Sequence, residues 1–202
     1  MMDMLRHERI TLLSTDKWAD QNDRHTMEVY AARKKTPSVV AYCMTEAAET
    51  AHHWQLFAGH DFGACVVFKK AEFTDFIRNR RGLRCENIDY WTLARLEREQ
   101  PISVEVLPFI KRAAFEAERE VRIIADHDAS LDGPTQHVSI RRSLIDRIVF
   151  SPFAVRSLVE NAKDVMLDFK GCSTVRFVHS ALMNNRKWMR EADKVLPGGR
   201  LK

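Results

Sequence analysis

The stretch Glu118-Arg119-Glu120-Val121-Arg122-Ile123-Ile124-Ala125 decides how this chain is read. Its alternation suits a β-strand and not an α-helix. Side chains at i, i+2 and i+4 of a strand share a face, so the spacing predicts that Glu118, Glu120 and Arg122 project together. Neighbouring carboxylates raise one pKa, and an arginine beside them favours the ionised form. Acid–base and substrate-clamping sites use that opposed tuning. Lys111, on a helix expected from about Val104 to Ala117, would add a second cation. A charged strand face near a sheet edge also serves as a solvated ion-pair ladder, and both readings stand at this point.

Working outward, Arg9 to Leu13 reads as a short strand and Asn22 to Lys34 as a helix with Met27, Tyr30 and Ala31 on one face. The run Ser38 to Met44 is nearly continuously apolar, as in a strand covered on both faces. Helical period marks Glu46 to Ala58, Ala71 to Arg81 and Thr92 to Glu99, and β-type runs mark Gly63 to Phe68 and Leu83 to Tyr90. Asp132-Gly133-Pro134 signals a turn before a strand from Gln136 to Ile140. A strand at Ile145 to Phe150 precedes Ser151-Pro152, a helix-start pair leading to an apolar stripe that ends near Gly171. Thr174 to Val178 is a last strand, and the tail after Pro197 is expected to fray. Interspersed strands and helices predict an α+β fold, a single domain over residues 1–202 with a central mixed or largely antiparallel sheet flanked by helices.

The composition fits a folded domain: 202 residues, 45% hydrophobic and 30% charged. No apolar run approaches the roughly 20 residues needed to cross a bilayer, which predicts no membrane partner. The N-terminus Met1-Met2-Asp3-Met4-Leu5-Arg6-His7-Glu8 has no apolar signal core, so the expected location is the cytoplasm. A net charge of +4 permits attraction to phosphate without demanding it. Cys43, Cys65, Cys85 and Cys172 form no C-x-x-C pair, and the expectation is four reduced, buried thiols.

Five ordered blocks resemble the bacterial domain-of-unknown-function family 2971. They are Trp18-Ala19-Asp20-Gln21-Asn22-Asp23, Trp54-Gln55-Leu56-Phe57-Ala58, Gly63 to Phe68, Lys111 through Phe115 to Ile124, and Ile145 to Pro152. The resemblance spans roughly residues 9–170 and implies a bacterial or phage-type protein, with a toxin or phage-defence context in view. Many members begin with an extra strand bearing a Y-K/R-Y element, for which only Arg6 and His7 stand here.

The Glu-x-Glu element in a small α+β domain is also similar to the signature of ADP-ribosyltransferases of the arginine-serine-glutamate type. That similarity implies NAD as substrate, with no other cofactor evident. It assigns Glu120 as the catalytic carboxylate that holds a ribose hydroxyl and stabilises oxocarbenium charge, and Glu118 as the acceptor-side carboxylate. Arg122, Lys111 and Trp54 would join the substrate site. Ser14 would be the nicotinamide-side hydroxyl, and Arg9 or Arg6 would stand where the family has its first-strand arginine. The acceptor would be a macromolecule, nucleic acid or protein.

The competing reading is a non-catalytic module that binds nucleic acid or protein through basic clusters. Arg78, Arg80 and Arg81 lead it, with Arg141-Arg142 and Arg186-Lys187 with Arg190, provided they share a face. His52-His53 with His60 lacks the i, i+4 spacing of a zinc site, so no metal is expected. Asp20, Asn22 and Asp23, after Trp18, have the chemistry to orient a ligand or bind a cation, but residues of this kind more often cap the following helix. The chain has no P-loop, no G-x-G-x-x-G and no G-x-S-x-G.

Overall fold

The decisive stretch does form a strand in the structure, a computed structural model, but the strand starts at Glu120, two residues later than the alternation predicts. Arg119 adopts a left-handed conformation, φ 44° and ψ 50°, which a strand cannot continue through. Glu118 therefore ends a 3-10 turn, Ala113–Glu118, and its place on the strand face is corrected.

The structure describes residues 1–59, 62–127 and 135–194. Along them run α1 (Met2–His7), β1 (Arg9–Ser14), α2 (Gln21–Lys34), β2 (Ser38–Thr45), α3 (Ala51–Phe57), β3 (Ala64–Phe68), α4 (Lys70–Arg78), β4 (Leu83–Asn87) and β5 (Asp89–Trp91). Then follow α5 (Leu93–Arg98), β6 (Ile110–Arg112), β7 (Glu120–His127), β8 (Thr135–Ser139), β9 (Ile145–Phe150), α6 (Arg156–Leu167), β10 (Arg176–His179) and α7 (Arg186–Asp193). The fold is α+β with a mostly antiparallel main sheet, as expected. Its packing divides into two compact units, each drawn from separated stretches of chain, so no linker composition marks the division.

The larger unit comprises Met2–Ala48 and Phe68–Leu144. Its five-stranded sheet runs β4-β7-β2-β1-β8, every neighbour antiparallel. The register sets Ala41 opposite Ile124 and Cys43 opposite Arg122, so these four side chains belong to one face. Against that face lies α2, whose Met27 and Tyr30 join Val39, Ala41, Ile88, Phe109 and Ile124 in a core. The large aliphatic and phenylalanine side chains among these, fully buried, each contribute about 1.5–3 kcal/mol. Asp20 caps α2, its Oδ1 accepting from Asn22 N at 2.9 Å, and Lys35 closes it in the left-handed region at φ 54°. On α4, Phe73 and Ile77 are buried. A two-stranded parallel sheet pairs β5 with β6.

The smaller unit comprises Glu49–Val67 and the chain from Ile145 on, with Met1. Its three strands run β10-β9-β3, with β10 parallel to β9. Trp54 of α3 and Val159 and Met166 of α6 are buried, while Leu56, Phe57, Met183 and Trp188 are exposed.

Several expected elements are corrected. Residues 104–117 do not form one helix: Pro108, with no N–H to donate, falls inside a 3-10 turn at Val104–Phe109, and β6 follows directly. Lys111 is accordingly a strand residue. The Glu46 to Ala58 helix is confined to α3 because Thr50 caps it, accepting from His53 N at 3.1 Å. Ser151-Pro152 opens a turn, with Ser151 Oγ accepting from Phe153 N, and α6 begins at Arg156. The run from Leu83 breaks after Asn87 into β4 and β5. Cys43 and Cys65 are exposed and Cys85 and Cys172 buried, and none of the four is in a disulfide. The turn at Asp132-Gly133-Pro134, His60 and the tail after Pro197 lie outside the described residues.

Candidate functional site

Two arginine-centred clusters form in the larger unit, one inside it and one on its surface. The inner cluster is built on Arg122, which β7 places among the buried side chains opposite Cys43. A fully buried guanidinium survives only if its charge and its donors are met. Asp23, one turn into α2, supplies both its oxygens at 3.0 and 2.7 Å. Glu120 Oε1 accepts from Nε at 2.8 Å, and the Pro108 carbonyl accepts from a terminal nitrogen at 2.8 Å. The Trp18 ring lies 4.6 Å from the guanidinium carbon.

Lys111 of β6 extends this cluster. Its Nζ donates to Glu118 Oε2 at 2.6 Å and to Glu120 Oε2 at 3.0 Å, beside the Phe115 ring. The Glu120 backbone N–H donates to the Tyr90 hydroxyl at 2.7 Å, and the Cys43 thiol bonds the Glu120 carboxylate. Three carboxylates thus face two cations. Burial raises the pKa of Glu120, but Arg122, by hydrogen bond and charge, and then Lys111 outweigh it, so Glu120 lies below the ordinary glutamate value. For Asp23 the balance is reversed: burial lifts it in spite of Arg122. Burial works against the charges of Arg122 and Lys111, yet the facing carboxylates raise both pKa values. Cys43 keeps exposed surface, but its thiol lies against the cluster, and desolvation there, then the charge of Glu120, raise its pKa, so it stays protonated and is a poor nucleophile.

So Glu118, Glu120, Arg122 and Lys111 do come together, by a route the alternation does not describe. Glu118 arrives from a turn and Lys111 from a strand. Each oxygen of Glu120 and of Asp23 already faces a cation, and that closure resists exchange for a substrate hydroxyl. The other residues of the expected NAD site are engaged elsewhere. Ser14 Oγ accepts from Asp16 N at 3.4 Å, which caps a turn. Arg9 donates twice to Asp3, at 2.9 and 2.8 Å. Trp54 belongs to the smaller unit, where it is buried and donates to Glu49 Oε1 at 2.7 Å.

The surface cluster gathers basic groups far apart in sequence. Arg78 ends α4, and Arg80 and Arg81 continue past it, all three exposed. Arg80 stacks on the Phe76 ring at 4.4 Å, and Arg141, from the segment after β8, approaches the same ring at 5.4 Å. Among the described residues none of Arg80, Arg81 and Arg141 has a carboxylate partner. Arg142 differs: it bonds the Leu5 carbonyl at 2.7 Å and Glu8 at 2.8 Å, so it is a tether between segments. Arg186, Lys187 and Arg190 lie on α7 in the smaller unit.

The sequence does not reveal the roles of four of these groups. Asp23 reads as a capping residue, and nothing local shows that its partner lies 99 positions away. Trp18, Tyr90 and Phe76 were likewise unassigned, although the i, i+4 spacing of Phe76 and Arg80 was a legible signal. Among the described residues no group of His, Cys, Asp and Glu could hold a metal ion, and no helix is long and apolar enough to cross a membrane. Comparison with protein families, curated proteins and solved structures finds no match to this chain, so the resemblance to family 2971 rests on its five blocks alone.

Proposed function

We propose that the protein is a nucleic-acid-binding module that holds phosphates on the arginines around Phe76. One observation carries the reading: Arg80 and Arg141, 61 positions apart, converge on one aromatic ring with no carboxylate partner among the described residues. Guanidinium groups held against an aromatic face are pre-organised for phosphate oxygens, and Arg78 and Arg81 widen the basic surface. The test is a titration of the chain with a labelled oligonucleotide across a salt series. Each phosphate neutralised contributes a log–log slope of about −0.7 to −0.9. Arg80→Ala with Arg141→Ala should weaken binding and flatten that slope; binding indifferent to salt would end the proposal.

A second reading, an NAD-consuming ADP-ribosyltransferase-like enzyme, draws on the convergence of Glu118, Glu120 and Arg122. It requires Glu120 to leave Arg122 and Lys111 when NAD binds. Nicotinamide release that disappears in Glu120→Gln would support it, and no release with either nucleic acid or lysate protein as acceptor would exclude it.

A further inference from the structure

Beside the arginines, on the other flank of α4, the larger unit carries a groove of about 420 Å³, within the roughly 300–1,000 Å³ range of small-molecule sites. One wall is a single face of α4: Lys70, Ala71, Thr74, Asp75 and Arg78 recur at helical spacing. The floor is apolar, with Cys85 from β4 and Val121 from β7, and Asn87 stands opposite Val121 in the register.

What distinguishes this groove is polar capacity left open inside it. Glu46 and Lys70 pair with each other at 2.9 Å across one end. The side chains of Thr74, Asp75 and Asn87 have no hydrogen-bond partner among the described residues. Among the described residues Arg78 is anchored through its Nε, at 3.5 Å to the Cys85 carbonyl, and its terminal nitrogens have no partner there. A carboxylate, a guanidinium, an amide and a hydroxyl therefore surround an apolar floor.

We propose that this groove seats an unpaired guanine base, and that the nucleic acid of the proposed function is single-stranded. The inference rests on that function and deepens it. Guanine alone among the common bases offers two adjacent N–H donors on its Watson–Crick edge, which match a carboxylate such as Asp75. Its O6 and N7 are paired acceptors, which match a guanidinium such as Arg78. The other bases set an acceptor beside a donor, and a carboxylate repels it. The ring faces meet Cys85 and Val121. From Arg78 in the groove the chain continues past the C-terminal end of α4 to Arg80, which stacks on Phe76, so the strand's phosphates can follow Arg80 and Arg141. A base held in a duplex cannot turn its Watson–Crick edge into the groove, and this selects single strands.

The experiment compares, at fixed salt, a 12-nucleotide uridine strand carrying one central guanosine with the same strand carrying adenosine, and adds guanosine monophosphate as a free probe. The guanosine strand should bind about tenfold more tightly, as one bidentate contact predicts. Asp75→Asn should bring it down to the adenosine strand without altering the salt slope, and Asn87→Ala, at a second wall of the groove, should reduce the preference. Equal affinity for the two strands, or a preference that survives Asp75→Asn, overturns the inference while leaving the arginine surface intact. Saturable binding of guanosine monophosphate that is lost in Asp75→Asn, with no strand binding at all, keeps the groove and removes the nucleic-acid reading. No binding of any of the three removes both.

Discussion

Arg122 and Arg80 each lie over an aromatic ring, 4.6 Å from Trp18 and 4.4 Å from Phe76, and the contacts look alike until their surroundings are compared. Around Arg122, Asp23, Glu120 and a carbonyl satisfy the guanidinium in a place water does not reach. Around Arg80 the ring is the described contact, and the rest of the charge faces solvent. The first arrangement consumes its own electrostatics to hold a fold. The second leaves them available to a ligand. Burial and partner count, more than residue type, separate the structural arginine from the binding one.

The sharpest way to break this comparison is Arg122→Leu. It leaves Asp23 and Glu120 buried with Lys111 alone to face them, and breaking a buried pair from one side costs about 3–5 kcal/mol. Urea denaturation followed by circular dichroism should show a midpoint shift of that size, or no folded larger unit. A variant as stable as the parent would mean that the network contributes little and that Glu120 is freer for chemistry than its contacts suggest.

Glu120→Gln probes the same cluster more gently. Losing charge-assisted hydrogen bonds to Arg122 and Lys111 should cost about 1.5–3 kcal/mol near neutrality. The pH dependence carries a sign. Glu120 has a folded pKa below its unfolded value, so its contribution is present above the ordinary glutamate range and is lost as pH falls through the lower, folded value. Asp23, lifted by burial, has the opposite sign: the folded chain keeps its proton to higher pH than the unfolded chain, which offsets part of the acid loss. With Glu120 removed, the Asp23 contribution is left, so stability should fall less between pH 5 and pH 3 than in the parent. Parallel curves would disprove this assignment of the acid loss.

The surface cluster should respond the other way round. Arg80→Ala with Arg141→Ala should change stability by no more than about 0.5 kcal/mol, as surface substitutions do. The same pair should weaken oligonucleotide binding by about tenfold or more and reduce the salt slope by about 1.4–1.8, the share of two phosphates. A large stability loss with unchanged binding would make the two clusters alike, and the distinction would fail.

How far the sequence reveals these clusters depends on the range of the interaction. The alternation from Glu120 to Ala125 is local, and it yields β7 and the shared face of Glu120 and Arg122 directly. The apolar run at Ser38 to Met44 similarly announces a central strand, and β2 does lie between β7 and β1. The position of Lys111 was misread because a helical period was followed through Pro108. The partners of Asp23 and Arg141 are hidden for a different reason: each is brought near by the whole topology, which no window of sequence contains. The division into two units was invisible too, because each unit is assembled from separated segments.

Arg119 shows how one backbone angle separates what a pattern joins. Its left-handed conformation turns Glu118 out of the strand and toward Lys111, while its own side chain is exposed. An L-residue there carries a steric penalty that glycine avoids, partly offset by the greater entropy that glycine loses on folding. Arg119→Gly should therefore leave the Lys111 contacts in place and stabilise the protein by about 0.5 kcal/mol, the smallest of these effects. Arg119→Val favours extended backbone at that position and should destabilise instead, because the strand can lengthen only by withdrawing Glu118 from Lys111. If the two variants have the same midpoint in urea, the turn does not position Glu118, and the inner cluster owes that contact to the flexibility of the lysine.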